Sequence, residues 1–271
     1  MRFGLFGGGK LGKSNPLGDS YAYQDFITYV KRAEQVGFES VFLVEHHFTG
    51  SGQLSASLSL LAYLAAATTR MRLGTAVVVL PWHNPVLLAE QIATIDVLSG
   101  GRVDFGIGRG YRKAEFDQFC VPMSEAWDRY NECVEIMLKA WRTDGRFSYH
   151  SSRWNFEDIV VEPAPVQRPH PPIWTAAGST ESIARVASEN YNLLLDQIAP
   201  IDQTISRVQL YLDGLEAKGL PRDASRVGVT RALHIVRNDA ERKEAYERRR
   251  QSLQKIGELA RTVDGRRPTF E

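Results

Sequence analysis

Cysteine, long apolar runs and an excess of either charge are what this chain of 271 residues has little of. Its two cysteines, Cys120 and Cys133, stand in no CxxC or metal-type spacing, which argues against a disulfide framework or a metal site and for a reducing compartment, the cytoplasm. No apolar stretch reaches the roughly 18 residues that span a bilayer, and the N-terminal MRFGLFGGGK is no targeting segment, so a soluble protein without membrane attachment is expected. The formal net charge of +1 gives no field that would gather nucleic acid or anionic lipid. One dense basic stretch, Arg248, Arg249 and Arg250 with Lys255, alternates with glutamates and reads as a solvated helix face. What is present is ordinary for a globular protein: 43% hydrophobic and 24% charged residues, enough to bury a large core.

Short runs rich in Val, Ile, Leu and Phe alternate with longer amphipathic segments, the pattern of βα units on a parallel sheet. Strands are predicted over residues 2–6, 40–45, 73–80, 102–107, 173–176, 192–195 and 227–236. Helices are predicted over 23–35, 57–68, 85–98, 125–141, 180–188, 204–218 and 240–259, with Gly37 closing the first and Asn84 capping the third ahead of Pro85. Between residues 143 and 172 the alternation breaks into aromatic, polar and then proline-rich sequence, which prolines keep from being a long helix, and a hairpin-like excursion is expected there. The expected architecture is α/β, a single TIM (β/α)8-type barrel domain over 1–271. Seven strands are legible; a last βα unit is missing or unrecognisable before the aperiodic tail RTVDGRRPTFE.

In a parallel barrel the site lies where strands end and βα loops begin. The second strand ends in Glu45-His46-His47-Phe48, where an imidazole beside a carboxylate suits acid–base work; consecutive side chains diverge, so one histidine at most serves a given atom, and a buried hydrogen-bonded pair or a metal site is the alternative. The fourth ends in Gly106-Ile107-Gly108-Arg109-Gly110-Tyr111: glycines let the backbone approach a ligand closely and Arg109 can fork onto a phosphate, or the run is a loop needing positive φ angles with an arginine that merely caps a neighbour. This is not the GxGxxG dinucleotide fingerprint. The fifth ends in Ala177-Gly178-Ser179-Thr180, a helix start able to bind an anion or simply to cap itself. Trp82, His83 and Trp154 are read as packing before pocket lining.

Three stretches together resemble the bacterial-luciferase-like, flavin-dependent monooxygenases: EHHF at residues 45–48, LGTAVVVLPWHNPVLLAEQIATIDVLSGGRVDFGIGRGY at 73–111, and PPIWTAAGST at 171–180. The resemblance runs in order over about residues 1–240. It implies an FMN site, with His46 the acid–base histidine and Glu45 near the ring edge. Arg109, Ser179 and Thr180, joined by Arg129, match the phosphate cradle; Phe6, Tyr111, Ala177 and Gly178 complete the cofactor set. Ala76 and Val77 fall where the family often carries a non-proline cis peptide. It further implies a two-component reaction in which a separate NAD(P)H-dependent reductase supplies reduced FMN, and O2 is used to oxidise an aldehyde, ketone or terpenoid. A homodimer through the apolar segment 58–67 is expected on the same ground. Two alternatives stand beside this reading: a relative using the deazaflavin F420 for hydride transfer, and a non-catalytic flavin-binding protein.

Overall fold

The computed structural model describes residues 1–9, 16–50 and 52–259; the aperiodic tail lies outside them. Its contacts divide the chain into two compact units, residues 1–110 with 115–176, and residues 111–114 with 177–271.

The first unit is a parallel sheet with helices following its strands. β1 (Gly4–Gly7) leads into α1 (Gly18–Gln35), which buries Ala22, Ile27, Val30 and Ala33. Gly37, at φ 98°, ends that helix as expected: its N–H bonds to Glu34 O and that of Phe38 to Ala33 O at 2.9 Å, the paired bonds of a Schellman motif. β2 (Ser40–Leu43), α2 (Ser57–Ala67) and β3 (Arg72–Thr75) follow. The strand expected over 73–80 is broken in two. β3 stops at Thr75, the Ala76–Val77 bond is cis, and β4 (Val78–Val79) resumes before a 3-10 turn, Leu80–Trp82. The Thr75 hydroxyl bridges the gap, donating to Gly106 O at 2.7 Å and accepting from Gly106 N–H at 2.9 Å, so the neighbouring backbone stays satisfied where the ladder lapses.

Asn84 caps α3 (Pro85–Ser99), its side chain accepting from the N–H groups of Val86 and Leu87. β5 (Val103–Gly108), buried throughout, is followed by a short helix that periodicity did not reveal, α4 (Lys113–Gln118), and then by α5 (Ala126–Arg142). The expected excursion is an antiparallel hairpin of β6 (Phe147–His150) and β7 (Asn155–Ile159). β8 (Ile173–Ala176) then pairs with β5, giving the order β1-β2-β3-β5-β8, with β4 also on β5. Leu61, Leu64, Leu73, Leu88, Ile92 and Val103, from its strands and helices, are all buried.

In the second unit α6 (Thr180–Ser188), β9 (Asn192–Leu195), α7 (Ile201–Ala217), β10 (Val227–Val229) and α8 (Asp239–Leu259) follow in turn. β9 and β10 are parallel. Gly214 lets α7 approach α6, since a Cβ there would press on Ala187. β10 is shorter than the expected 227–236. Past Val229 the chain is fastened by the Arg231 side chain, which donates to the carbonyls of Asp196 and Ala199, while Leu233 and Ile235 project into solvent. Alternating apolar residues alone read as strand, but a strand needs a ladder partner. In the basic stretch of α8, Arg248 and Arg250 lie on the solvated face anticipated, pairing with Glu244 and Glu247, whereas Arg249 turns inward and donates to the side chain and carbonyl of Gln197; the side chain of Lys255 lies outside the described residues. Counting β3 and β4 as one interrupted strand, seven parallel strands are present among the described residues.

Candidate active site

The loop after β2 carries two imidazole–carboxylate groups side by side in the first unit. It is held at its base by Val44 N–H on Gly7 O and His46 N–H on Leu54 O. Glu45 is 4% exposed, and a single oxygen, Oε1, accepts from Trp82 Nε1 at 3.1 Å and meets Nε2 of His47 at 3.2 Å and of His83 at 3.4 Å. Burial pushes this carboxyl upward, but hydrogen bonds from His47 and His83, and their positive charge when protonated, hold it below the usual range. The His47 ring is packed against Phe48, Trp82 and Phe119 at centroid distances of 5.8, 6.0 and 4.8 Å.

His46 turns to a different carboxylate. Its Nδ1 lies 3.3 Å from Oε1 of Glu115, a buried residue of α4, and the same oxygen accepts the backbone N–H of His47 at 2.9 Å. The two histidines therefore diverge, as extended backbone requires, and each has its own acidic partner. Glu115, 69 residues away in sequence, was not among the sequence candidates. The available signal was a carboxylate within a few residues of the end of a strand carrying other candidates, a position worth inspecting in any parallel α/β fold.

After β5 the backbone passes close under other groups. A Cβ on Gly108 would collide with Val77, and one on Gly110, which has φ 80°, with Val79 and Phe116. Arg109 lies between them, its guanidinium 4.7 Å from the centre of the Trp127 ring. It makes no ion pair among the described residues, and burial lowers its pKa from the ordinary guanidinium value. Arg129, by contrast, already holds Glu125 at 2.9 Å.

Phe6 sits on β1 in register with Phe42 and is 45% exposed. Ala76 and Val77 form the non-proline cis peptide between β3 and β4. In the second unit Tyr111 faces the Arg112 guanidinium at 5.6 Å, and Ala177 N–H bonds to Leu194 O. Ser179 caps α6: its hydroxyl accepts from Ser182 N–H, while Ser182 Oγ accepts from the N–H groups of Gly178 and Ser179. The bland reading of that turn, self-capping, is thus realised, with Thr180 as the first helical residue. Among the described residues no group of three or more His, Cys, Asp and Glu is placed to hold a metal ion, and no helix is long and apolar enough to cross a membrane.

Parallel strands alternating with helices, with the candidate chemistry at the strand ends, define a protein of the TIM-barrel class. The chain belongs to the luciferase-like monooxygenase family, whose profile matches residues 1–269. It is 31% identical over 182 residues to the oxygenase component of the flavin-dependent trigonelline monooxygenase of Acinetobacter baylyi, covering 66% of this chain and 49% of that one. The fold matches monooxygenase RslO1 of Streptomyces bottropensis with a TM-score of 0.87 at 25% identity, over 96% of this chain and 80% of that one. It also matches the oxygenating constituent of 3,6-diketocamphane monooxygenase of Pseudomonas putida, solved with FMN, with a TM-score of 0.81 at 19% identity over 96% and 77%. The chain spans about half the length of the curated relatives it matches.

The residues present fit a phosphate-bearing aromatic cofactor. Arg109 is a partly desolvated cation without a carboxylate, the donor chemistry a phosphate takes, and Phe6 offers a half-exposed ring at the end of β1.

Proposed function

We propose that this protein is the oxygenase component of a two-component flavin system. In this reading it binds reduced FMN delivered by a separate NAD(P)H-dependent reductase and uses O2 to oxidise a small organic substrate of the aldehyde, ketone or terpenoid type. The cofactor, when bound, supplies the electrons that activate O2. Arg109 holds its phosphate, and Arg129, Ser179 and Thr180 are to be tested as further phosphate contacts one at a time. Phe6, Ala76, Val77, Tyr111, Ala177 and Gly178 are assigned to the cofactor on the family resemblance. His46 takes or gives a proton at the reacting atoms, and Glu45 keeps the neighbouring rings of His47, Trp82 and His83 in place.

The observation that carries this reading is Arg109, half-buried, stacked on Trp127 and without an ion pair among the described residues. A buried charge left without a counter-charge is costly, so the arrangement favours an anionic ligand. That two flavin-dependent monooxygenases are among the similar proteins supports the choice of FMN.

Anaerobic titration with reduced FMN and, separately, with reduced F420 tests it. Saturable binding of reduced FMN, followed by product from a panel of aldehydes, ketones and terpenes when reductase, NADH and O2 are added, is the expected result. Tight binding of F420 with none of FMN would replace oxygenation by hydride transfer. Flavin binding with no product from any panel member, unchanged by His46→Ala, would make the chain a flavin-binding protein.

A further inference from the structure

From the geometry we infer that Glu115 is the positioning residue of His46: it fixes the ring with the proton on Nδ1 and leaves Nε2 as the atom that exchanges protons with the reaction. The catalytic half of this statement rests on the oxygenase reading above; the tautomeric half does not.

Glu115 meets both histidines of the loop through one oxygen. Its side chain is buried, and Oε1 already accepts the backbone N–H of His47 at 2.9 Å, so that oxygen acts as an acceptor. An ionised carboxylate has no proton to give, and a neutral imidazole has one N–H and one bare nitrogen. The 3.3 Å contact between Oε1 and His46 Nδ1 is therefore satisfied in one sense only, with Nδ1 donating. A ring whose Nδ1 is committed presents a bare Nε2, ready to accept a proton and later to return it.

The neighbouring imidazole shows the opposite commitment. His47 meets Glu45 through Nε2, the outer nitrogen, and Trp82 and His83 converge on the same carboxylate oxygen. Trp82 can only donate, and His47 is further packed by Phe48 and Phe119, so its outer nitrogen is spent on holding the loop together. Adjacent residues in one loop thus have their two ring nitrogens used in opposite order. His46 is the one with its outer nitrogen uncommitted, and Glu115, from a helix far along the chain, makes it so. Sequence adjacency pairs Glu45 with His46; the fold pairs Glu45 with His47 and sets Glu115 against His46.

The test reads the tautomer directly. Ring-15N-labelled protein is studied by NMR above the pH at which imidazoles are neutral, with the His46 resonances identified by their loss in His46→Gln. In the wild type the Nδ1–H form is expected. Glu115→Gln can turn an N–H toward Nδ1 and should move His46 toward Nε2–H or a mixture, while Glu115→Asp, which keeps the carboxylate, should retain Nδ1–H. Glu45→Gln should move the His47 resonances and leave those of His46 in place.

In turnover assays Glu115→Gln should lower kcat by about 10²-fold, the usual worth of a positioned acid–base group, with KM changed by less than about threefold, and Glu115→Asp should recover part of the loss. Wild-type His46 in the Nε2–H form, or a tautomer indifferent to Glu115→Gln, would overturn the inference, and neither needs an active enzyme to be seen. The expected tautomers in a protein that binds no flavin would leave Glu115 its positioning role and remove the oxygenase reading.

Discussion

The loop after β2 and Arg109, just past β5, lie in the same compact unit and treat charge in opposite ways. After β2, the Glu45 carboxylate meets three ring nitrogens, and the rings pack on one another: Trp82 stacks on Phe119 at 4.8 Å and meets Phe116 edge-on at 5.3 Å. The outer nitrogen of His46 is among the groups left open there. After β5, Arg109 has an aromatic face beneath it and no acidic partner among the described residues. A loop that closes its own hydrogen bonds contributes to folding; one that leaves a desolvated cation open contributes to binding. The contrast predicts that substitutions in the first loop are felt in stability and those in the second in affinity.

Glu45→Ala should break the contrast at its strongest point. It strands the indole N–H of Trp82 and the contacts of two imidazoles in a buried place, with an expected loss of about 3 kcal/mol of folding stability, or a fall of roughly 6–12 °C in thermal midpoint. Calorimetry at neutral pH checks it. A fall of less than a degree would show that the carboxylate is not the keystone its geometry indicates. The pH dependence follows the same residue. Because its contacts hold Glu45 below the ordinary carboxylate value of 4.5, the stability it supplies is present above that value and lost as the pH falls through its lower, folded value. The variant should therefore depend less on acid pH than the wild type.

Arg109→Ala should do the reverse. With no ion pair to lose, folding stability is expected to stay within about 0.5 kcal/mol. Affinity for FMN should drop by about 1.5–3 kcal/mol, roughly 10- to 150-fold in Kd, the worth of a charge-assisted contact to an anion. Fluorescence titration with FMN and with riboflavin, which lacks the phosphate, sharpens this: the substitution should weaken the first and spare the second. Equal weakening of both would place Arg109 away from the phosphate.

How much of this was legible in the sequence differs between the two loops for a physical reason. Strand-end glycines around Arg109 are a signal in a contiguous run; the close neighbours at Gly108 and Gly110 are the chain's own Val77, Val79 and Phe116, and Gly110 has φ 80°. The hairpin after α5 and the Asn84 cap were likewise local signals, and strands β8 and β9 fall on their expected residues. Glu115 was not legible, because its partner is 69 residues away and a helix of six residues has too little periodicity to announce itself. The break between β3 and β4 was hidden by an unbroken apolar run, LGTAVVVL, whose hydrophobicity marks burial but not the ladder. The overlong reading of β10 has the same origin: residues 230–236 alternate like a strand, yet Leu233 and Ile235 face solvent.

The smallest expected effect lies with Trp127, and it isolates why Arg109 can stand without a carboxylate. The ring lies 4.7 Å from the guanidinium and is itself braced edge-on by Tyr130 at 5.7 Å, so the negative face of the indole partly replaces the missing counter-charge. An aromatic face stabilises a cation without consuming its N–H donors, whereas an acidic residue would compete with the incoming anion for them. Trp127→Leu keeps apolar cover and removes the quadrupole, and should weaken FMN binding by about 0.5–1 kcal/mol, or roughly two- to fivefold. In a double-mutant cycle with Arg109→Ala the Trp127 effect should vanish, since the ring acts through the guanidinium. A Trp127 effect that persists in the Arg109→Ala background would mean that the ring meets the cofactor itself.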